Sequence, residues 1–290
     1  MRRGWIQLGL IFLAPLACLS AASAQQLRAP AQVTAGKDFS VSTNGSGDGS
    51  FYLIGPAHAA KREIKLGGEV QVRGEEIEKA GRYTVIACAG SQCDSATIHV
   101  QPDAASRLSL LVHPSRVRVA TPNAISAVAF VFDKYHNLVF TQQPVNFEVT
   151  STAGSTITAS RPSSDGVAWV RLTSASKEGP AKIAASVGKT TEVRIVRQVA
   201  SDACNLRIKA QPNGKRIVVE TDPVRDCSGN AVPDGTVVSF TQVGPNGKTT
   251  VDAPVKKGVA RVELPAAGPS RITVASGVVT GNELSVGGRP

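Results

Sequence analysis

The chain contains five cysteines, whose thiols could take part in either of two kinds of chemistry. A thiol can bind zinc or form a disulfide, and zinc sites usually show Cys-x-x-Cys pairs or two histidines at a fixed spacing. Neither pattern occurs in the sequence. Cys18 lies in the predicted signal peptide described below and would be removed with it. Disulfides are therefore favoured for the remaining four cysteines. Nearest-neighbour pairing is the most economical of their three possible connectivities. The predicted pairs are Cys88 with Cys93 and Cys204 with Cys227.

Other reactive residues form no arrangement typical of an enzyme, a metal site or a cofactor site. The four histidines share no spacing, and no Gly-x-Ser-x-Gly motif occurs. Residues 44–50 resemble a phosphate-binding loop, but neither a helix nor a lysine follows, and Asp48 alone is too few carboxylates for calcium. We interpret the acidic run of Glu75, Glu76 and Glu78 as a solvated turn. We therefore expect no catalytic, cofactor-binding or metal-binding residues.

The first residues have the three-part pattern of a secretory signal peptide. Two arginines precede an apolar run from Ile6 to Leu19, and the small residues of Ala22–Ala24 follow. Cleavage after Ala24 is expected, which assigns residues 1–24 to the signal peptide. An uncleaved anchor and a lipoprotein modified at Cys18 are the alternatives, although the apolar run is short for a membrane span. We expect an exported protein that is periplasmic, at the cell surface or secreted, because no later stretch is apolar enough to span a bilayer.

The net charge is positive and unevenly distributed. The whole chain has 32 Lys and Arg residues against 22 Asp and Glu residues. The net charge is −1 over residues 25–103, +6 over 104–200 and +3 over 201–290. The basic residues are scattered rather than clustered as in a nucleic-acid-binding surface, which argues against a nucleic-acid partner. An acidic partner, such as lipid headgroups or a surface polymer, and an ordinary solvated surface both fit the basic middle segment.

Four blocks of sequence occur twice in the same order. Residues 133–139 and 226–232 share the pattern Asp-x-x-x-Asn-x-Val, and a Val-x-Phe segment follows each. Residues 166–172 and 258–264 share the pattern Gly-Val-Ala-x-Val-x-Leu, and a Gly-Pro pair with a nearby isoleucine follows each. The first block is displaced by 93 residues. This repeat predicts two copies of one fold.

Each block has the chemistry of a turn or of a strand. Asp and Asn side chains bond to their own backbone in tight turns, and the valine-rich blocks alternate as half-buried strands do. Short strands with frequent turn signals and no long helical period predict stacked β-sandwiches. The boundaries near residues 102–106 and 199–203 are short, which predicts modules that stack semi-rigidly.

These blocks resemble the bacterial immunoglobulin-like domains of the invasin and intimin type, over about residues 106–198 and 204–286. One departure is His136, because such turns usually carry glycine, as the second copy does at Gly229. The resemblance implies an all-β fold of tandem immunoglobulin-like β-sandwiches. It also implies a place in extracellular stalks or adhesion modules, without implying a shared ligand.

A weaker immunoglobulin-like pattern precedes the two copies. The segment from Gly81 to Tyr83 resembles the start of a late immunoglobulin strand, where a tyrosine can fix a corner. Residues 89–92 would form a hairpin tip closed by the predicted disulfide between Cys88 and Cys93. The predicted domains are immunoglobulin-like domains at residues 25–103, 104–200 and 201–290.

One tryptophan is not explained by the repeat. Along residues 166–172 the small and aliphatic side chains share one face, and Trp169 lies on the other, where the second copy has Arg261. Because an arginine at that position faces solvent, we predict that Trp169 does too. The same alternation puts Phe130 and Phe132 beside it, in an apolar patch typical of a contact surface. The alternative is a register shifted by one residue, which would bury both phenylalanines.

These features together predict an exported, non-enzymatic adhesion or spacer protein of the bacterial cell surface or periplasm. It would bind through sandwich faces and loops to a protein or surface polymer of the cell envelope or of a host. The alternative is a periplasmic scaffold or assembly subunit that docks onto a larger envelope complex through the aromatic patch.

Overall fold

A computed structural model describes residues 27–152, 154–266 and 268–287. It is 61% strand and 2% helix, which confirms the predicted all-β fold. No helix among these residues is long and apolar enough to cross a membrane. The predicted signal peptide at residues 1–24 lies outside the described residues. The chain divides after Gln101 into two compact units.

The first unit is a single sandwich, named sandwich 1. Its strands are β1 (Leu27–Arg28), β2 (Gln32–Thr34), β3 (Phe39–Thr43), β4 (Asp48–Gly55), β5 (His58–Lys65), β6 (Glu69–Val72), β7 (Gly81–Ala89) and β8 (Gln92–Gln101). A three-stranded sheet has the order β1-β3-β6, and a five-stranded sheet has the order β2-β8-β7-β4-β5. Side chains alternate in burial along both sheets, and Val41, Phe51 and Val85 are fully buried in the core between them.

The sequence pattern around Tyr83 forms a packed corner in sandwich 1. The Tyr83 side chain is 1% exposed and bonds to the backbone of Lys79. Burial raises the pKa of the phenol, and the backbone hydrogen bond only partly opposes that rise. Gly55 lies directly against the ring, because a Cβ atom placed on it would come 2.0 Å from Cε1 of Tyr83. A larger residue at position 55 would therefore displace the tyrosine.

We expect Gly55→Ala to lower the free energy of unfolding of sandwich 1 by about 2 kcal/mol, because overpacking a filled core forces side chains off their rotamers. Hydrogen exchange of the β4 and β7 amides in the full mature chain measures the effect. Gly68→Ala is the matched control, since a Cβ atom at Gly68 meets nothing within 4 Å. Equal effects of the two substitutions would show that Gly55 has no packing role.

The second unit contains two further sandwiches, named sandwich 2 and sandwich 3. The strands of sandwich 2 are β9 (Arg107–His113), β10 (Arg116–Arg118), β11 (Ile125–Phe132), β12 (Pro144–Thr150), β13 (Thr156–Pro162), β14 (Val167–Leu172), β15 (Gly179–Val187) and β16 (Thr190–Val199). The sheet orders are β14-β11-β9 and β10-β16-β15-β12-β13. The core between the sheets includes Val131, Phe147 and Ile183.

Sandwich 3 repeats this plan, again with a three-stranded and a five-stranded sheet. Its strands are β17 (Ile208–Asn213), β18 (Arg216–Thr221), β19 (Val237–Gly244), β20 (Gly247–Pro254), β21 (Arg261–Pro265), β22 (Ser270–Ser276), β23 (Val279–Thr280) and β24 (Leu284–Val286). One sheet has the order β17-β18-β21, and the other has the order β20-β19-β22-β23, with β24 also paired to β22. Val219, Phe240 and Leu264 are fully buried in its core.

The repeated Asp-x-x-x-Asn block forms a tight turn held by a buried carboxylate. Oδ1 of Asp133 accepts hydrogen bonds from the amides of Tyr135 at 2.8 Å and Asn137 at 2.9 Å. Its Oδ2 accepts one from Nδ2 of Asn137 at 2.8 Å. His136 takes a left-handed conformation with a φ of 64°, so the histidine does not prevent the turn. The equivalent turn in sandwich 3 is built in the same way on Asp226.

We expect His136→Gly to stabilise sandwich 2 by about 1 kcal/mol, because glycine adopts a left-handed conformation without the steric cost of a side chain. Gly229→Ala is the reciprocal variant, since Gly229 has a φ of 80° and open space around it, and it should destabilise sandwich 3 by a similar amount. Urea midpoints of both variants measure the effects. Changes of the same sign in the two variants would contradict this explanation.

The same aspartates also hold the segments that lead into each sandwich. Oδ2 of Asp226 accepts a hydrogen bond from the amide of Ser201 at 2.9 Å. Asn230 in the same turn reaches sandwich 2, where its Nδ2 donates to the carbonyl of Ser176 at 2.8 Å and its Oδ1 accepts from the amide of Glu178 at 3.3 Å. The junction between sandwiches 2 and 3 is therefore a fixed contact rather than a loose tether.

A covalent or ionic link reinforces each leading segment. The disulfide between Cys204 and Cys227 joins the segment to the turn in sandwich 3. In sandwich 2, Oδ2 of Asp133 accepts a hydrogen bond from the amide of Asp103 at 2.9 Å. Lys134 forms an ion pair with the Asp103 carboxylate at 3.5 Å. Lys134 occupies the position that Cys227 has in the other copy. One repeat therefore uses an ion pair where the other uses a disulfide.

The other disulfide closes the hairpin between β7 and β8 in sandwich 1. It joins Cys88 to Cys93, five residues apart, and these two residues are also cross-strand partners. The structure thus contains both nearest-neighbour disulfides.

Candidate contact face

The three-stranded sheet of sandwich 2 has one face in the core and one face outward. The register pairs Trp169 of β14 with Val128 of β11, and Val128 with Leu111 of β9. The residues on either side of Trp169, Ala168 and Val170, are buried against the second sheet. Strand alternation therefore turns Trp169, Val128 and Leu111 outward together, as one row across three strands.

We name the outward side chains of these strands the contact face. Its members are Arg107, Ser109, Leu111 and His113 of β9; Ser126, Val128, Phe130 and Phe132 of β11; and Val167, Trp169 and Arg171 of β14. The most exposed apolar members are Trp169, at 64%, and Leu111, at 58%.

The structure places the three residues of the predicted patch on this face. Phe130 is half-buried in the row next to Trp169, between Ser109 and Val167. Phe132 is half-buried one row further, opposite Arg107. The core positions of β11 belong instead to Ile125, Ala127, Ala129 and Val131, which alternate with the outward residues.

Sequence reasoning missed Leu111, although a signal for it exists. Leu108 and Leu110 alternate as buried residues, and Leu111 breaks that alternation by following Leu110 directly. An apolar residue on the polar side of an alternating strand is the pattern that marks an outward apolar side chain.

The equivalent faces of the other two sandwiches are polar. In sandwich 3 the row that matches Leu111, Val128 and Trp169 is Lys209, Glu220 and Arg261. Lys209 and Glu220 form an ion pair at 3.6 Å, which neutralises part of that row. In sandwich 1 the corresponding sheet presents a row of Arg28, Ser42 and Glu69. The apolar row thus distinguishes sandwich 2 among three related sheets.

Exposed apolar side chains outside the contact face are scattered. Ile195, exposed by 60%, lies on the other sheet of sandwich 2 and pairs across the strand with Lys182. Val278 lies in a turn of sandwich 3, and Ile54 on the outside of sandwich 1. Single apolar side chains of this kind are normal on a protein surface, whereas a contiguous group usually marks an interaction site.

Basic side chains lie at both ends of the contact face. Ser126 is flanked by His113 and Arg171 in the row before Trp169, and Arg107 lies beside Phe132 at the opposite end. None of the face's eleven residues is Asp or Glu. The electrostatic character of the face is therefore apolar in the middle and cationic at both ends.

The acidic segment of sandwich 1 differs from the solvated turn expected from the sequence. Residues Gly74–Ile77 form a short 3-10 helix, and Glu76 is largely buried. Its carboxylate forms an ion pair with Arg62 at 3.1 Å and accepts a hydrogen bond from the amide of Arg73 at 2.9 Å. Local backbone bonding and the arginine account for its burial, so the group is a structural ion pair. Across the part of the chain that the structure describes, no cluster of three or more His, Cys, Asp or Glu side chains could hold a metal ion.

Comparison with solved structures finds bacterial proteins of similar fold. The FdeC adhesin of Escherichia coli superposes with a TM-score of 0.61 at 17% identity, over 88% of this chain and 92% of that one. Invasin, a bacterial integrin-binding protein, gives a TM-score of 0.45 at 12% identity, over 84% of this chain and 54% of that one. InvD of Yersinia pseudotuberculosis gives a TM-score of 0.44 at 11% identity, over 89% of this chain and 94% of that one.

Neither a protein-family model nor a curated protein matches the sequence. At 17% identity the likeness to FdeC concerns the fold. It confirms the resemblance to bacterial immunoglobulin-like domains that the repeated blocks indicated, and the chain shares the fold of FdeC.

Proposed function

We propose that the chain is an exported, non-enzymatic adhesion protein that holds its partner on the contact face of sandwich 2. The observation that carries this proposal is the 64% exposure of Trp169 in the middle of an apolar row. Contiguous exposed apolar surface usually marks an interaction site. FdeC, whose fold the chain shares, is an adhesin, which supports the same class of function.

The three related sheets suggest a division of roles between the sandwiches. Only the sandwich 2 sheet exposes an apolar row, while the matching sheets of sandwiches 1 and 3 present charged and hydroxyl groups. In this proposal sandwich 2 binds, and the other two serve as spacers. The two hydrogen bonds between Asn230 and sandwich 2 would hold the binding module in a fixed orientation on its neighbour.

The proposed location is outside the cytoplasm. The predicted signal peptide favours export, and the two disulfides fit an oxidising compartment. Labelling intact cells with a membrane-impermeant amine reagent separates the two possible sites of action. Labelled protein supports a surface adhesin, whereas protection that is lost when the outer membrane is permeabilised supports a periplasmic scaffold that docks through the same face.

We expect Trp169→Ala to weaken partner binding by about thirtyfold, because a central interface tryptophan often contributes about 2 kcal/mol. Retention of beads coated with residues 25–290, on cultured epithelial cells and on isolated bacterial envelopes, measures the effect. The unfolding free energy should change by only about 0.5 kcal/mol, as is usual for an exposed position.

Two variants serve as matched controls for this experiment. Ile195→Ala removes an equally exposed apolar side chain from the other sheet of sandwich 2. Arg261→Ala removes the residue at the position equivalent to Trp169 in sandwich 3. Both should keep full retention. Unchanged retention by Trp169→Ala would refute the proposal, as would a fall in melting temperature large enough to explain the loss.

A further inference from the structure

We infer that the partner is a protein whose binding surface presents apolar side chains flanked at both ends by carboxylates. This inference rests on the proposed function and specifies the chemistry that the contact face recognises. Three features of the face carry it: its residue types, the spacing of its arginines, and the absence of a neutralising carboxylate within it.

The residue types of the contact face are those of a protein–protein interface core. Its centre holds tryptophan, phenylalanine, leucine and valine, and its strongly basic members are both arginines. Protein interfaces are enriched in aromatic residues and arginine and depleted in lysine, aspartate, glutamate, serine and alanine. The three charged types, lysine, aspartate and glutamate, do not occur on the face, and its two serines lie away from the row of Trp169. Tryptophan and arginine are also the residues that most often dominate binding energy.

The arginines bracket the apolar centre at a defined distance. Arg171 lies in the row of Ser126, and Arg107 lies in the row of Phe132, so three row steps separate them along the strands. Each step covers two residues, or about 7 Å, which puts the two ends roughly 20 Å apart. An extended partner segment would span that distance with about six residues. Its end positions would carry the acidic groups, and its middle positions the apolar ones.

The positive charge at both ends is available to a partner. In the part of the chain that the structure describes, no carboxylate pairs with the guanidinium of Arg107 or Arg171. The matching sheet of sandwich 3 neutralises itself, because Arg216 pairs with Glu263 at 3.2 Å and Lys209 with Glu220. Complementary charge on a partner would take the place that those glutamates fill in sandwich 3.

A protein fits this face better than a sugar or a lipid surface. A sugar ring can stack its C–H face on a tryptophan, but its hydroxyls also need polar partners, and Ser109 is the only hydroxyl residue in the two central rows. Insertion into a bilayer needs apolar side chains that project beyond their surroundings, whereas these belong to a sheet with half-buried phenylalanines. A polypeptide can match both the dry centre and the arginine ends, since carboxylates bind guanidinium groups in bidentate geometry.

Selection from a library of displayed random dodecapeptides tests this inference. The bait is the full mature chain, residues 25–290, and the parallel bait is the Arg107→Glu/Arg171→Glu variant. Both positions are exposed on strands, so the variant should fold, and circular dichroism checks that it does. We expect the wild-type chain to enrich peptides with apolar residues between Asp or Glu, and the variant to enrich peptides with Lys or Arg in those places.

Affinity of one enriched acidic peptide gives the quantitative result. It should fall by roughly tenfold or more on the double charge reversal, and also as ionic strength rises. Arg107→Gln/Arg171→Gln should give an intermediate loss, which separates charge from shape. Trp169→Ala should weaken binding to both sets of peptides by about thirtyfold, as expected for the partner.

Three outcomes would overturn the inference. One is enrichment of the same peptides by both baits. Another is enrichment without acidic residues at all. A third is Trp169-dependent binding to a polyuronate or to phosphatidylglycerol vesicles that is tighter than binding to any peptide. If Trp169→Ala weakens cell retention while charge reversal does not, the adhesion function stands and this inference fails. If neither change matters, both fail.

Discussion

Replacing Asp226 with alanine is expected to lower the unfolding free energy of sandwich 3 by about 4 kcal/mol. The side chain is 3% exposed and its carboxylate accepts hydrogen bonds from the amides of Ser201, Ser228 and Asn230, as well as from Nδ2 of Asn230. Removing the acceptor leaves several donors unsatisfied in a largely buried turn. Each buried donor left without a partner typically costs about 1–3 kcal/mol, so the loss of several hydrogen bonds adds up to the expected effect.

Guanidinium unfolding of the full mature chain measures this effect. Asp234→Ala is the matched control, because Asp234 is an exposed aspartate of the same sandwich. Asp226→Asn should give an intermediate loss, since the amide keeps one acceptor oxygen but presents a donor in place of the other. A loss below about 1 kcal/mol for Asp226→Ala, the level of an ordinary surface change, would contradict the role assigned to the turn.

Acid should weaken sandwich 3 through the same group. Burial alone raises the pKa of the Asp226 carboxyl, but the hydrogen bonds together lower that pKa below its ordinary value. A carboxyl with a lowered folded-state pKa contributes its full stabilisation above the unfolded pKa of about 4 and loses it as the pH falls through the folded pKa. We expect Asp226→Ala to remove this part of the acid dependence.

Removing the disulfide between Cys204 and Cys227 is expected to cost about 3 kcal/mol. The bond closes a loop with a sequence separation of 23, which restricts the unfolded chain strongly. The double variant Cys204→Ser/Cys227→Ser, compared with wild type by thermal unfolding, measures the loss. The control is Cys88→Ser/Cys93→Ser, whose loop has a separation of 5 and whose loss should be smaller. Four reactive thiols in the denatured, unreduced protein would show that neither bond forms.

The fold could be predicted from the sequence because its signals are local and repeated. The two copies of the turn and of the Gly-Val-Ala-x-Val-x-Leu strand fixed which side chains alternate inward, and the buried Ala168 and Ala260 agree with that pattern. The outward direction of Trp169 was inferred in the same way, from an arginine at the equivalent position.

The junction and the ends of the contact face could not be predicted in this way. Asp226 accepts a hydrogen bond from the amide of Ser201, and Asn230 donates one to the carbonyl of Ser176. Almost every residue type has these backbone groups, so the sequence does not show which of them serve as partners. Arg107 and Arg171 look like any solvated cations in the sequence. Their relation to each other appears only when the register of three strands places them on one face.

The fluorescence of Trp169 tests the central claim most directly. The chain has two tryptophans, and because Trp5 lies in the predicted signal peptide, Trp169 is the only one in residues 25–290. The free protein should show the emission of a water-exposed indole that acrylamide quenches readily. Adding the partner, or a peptide selected on the contact face, should shift the emission to shorter wavelength and protect it from quenching. Saturable binding with no change in emission or quenching would show that the partner contacts some other surface and would contradict the account.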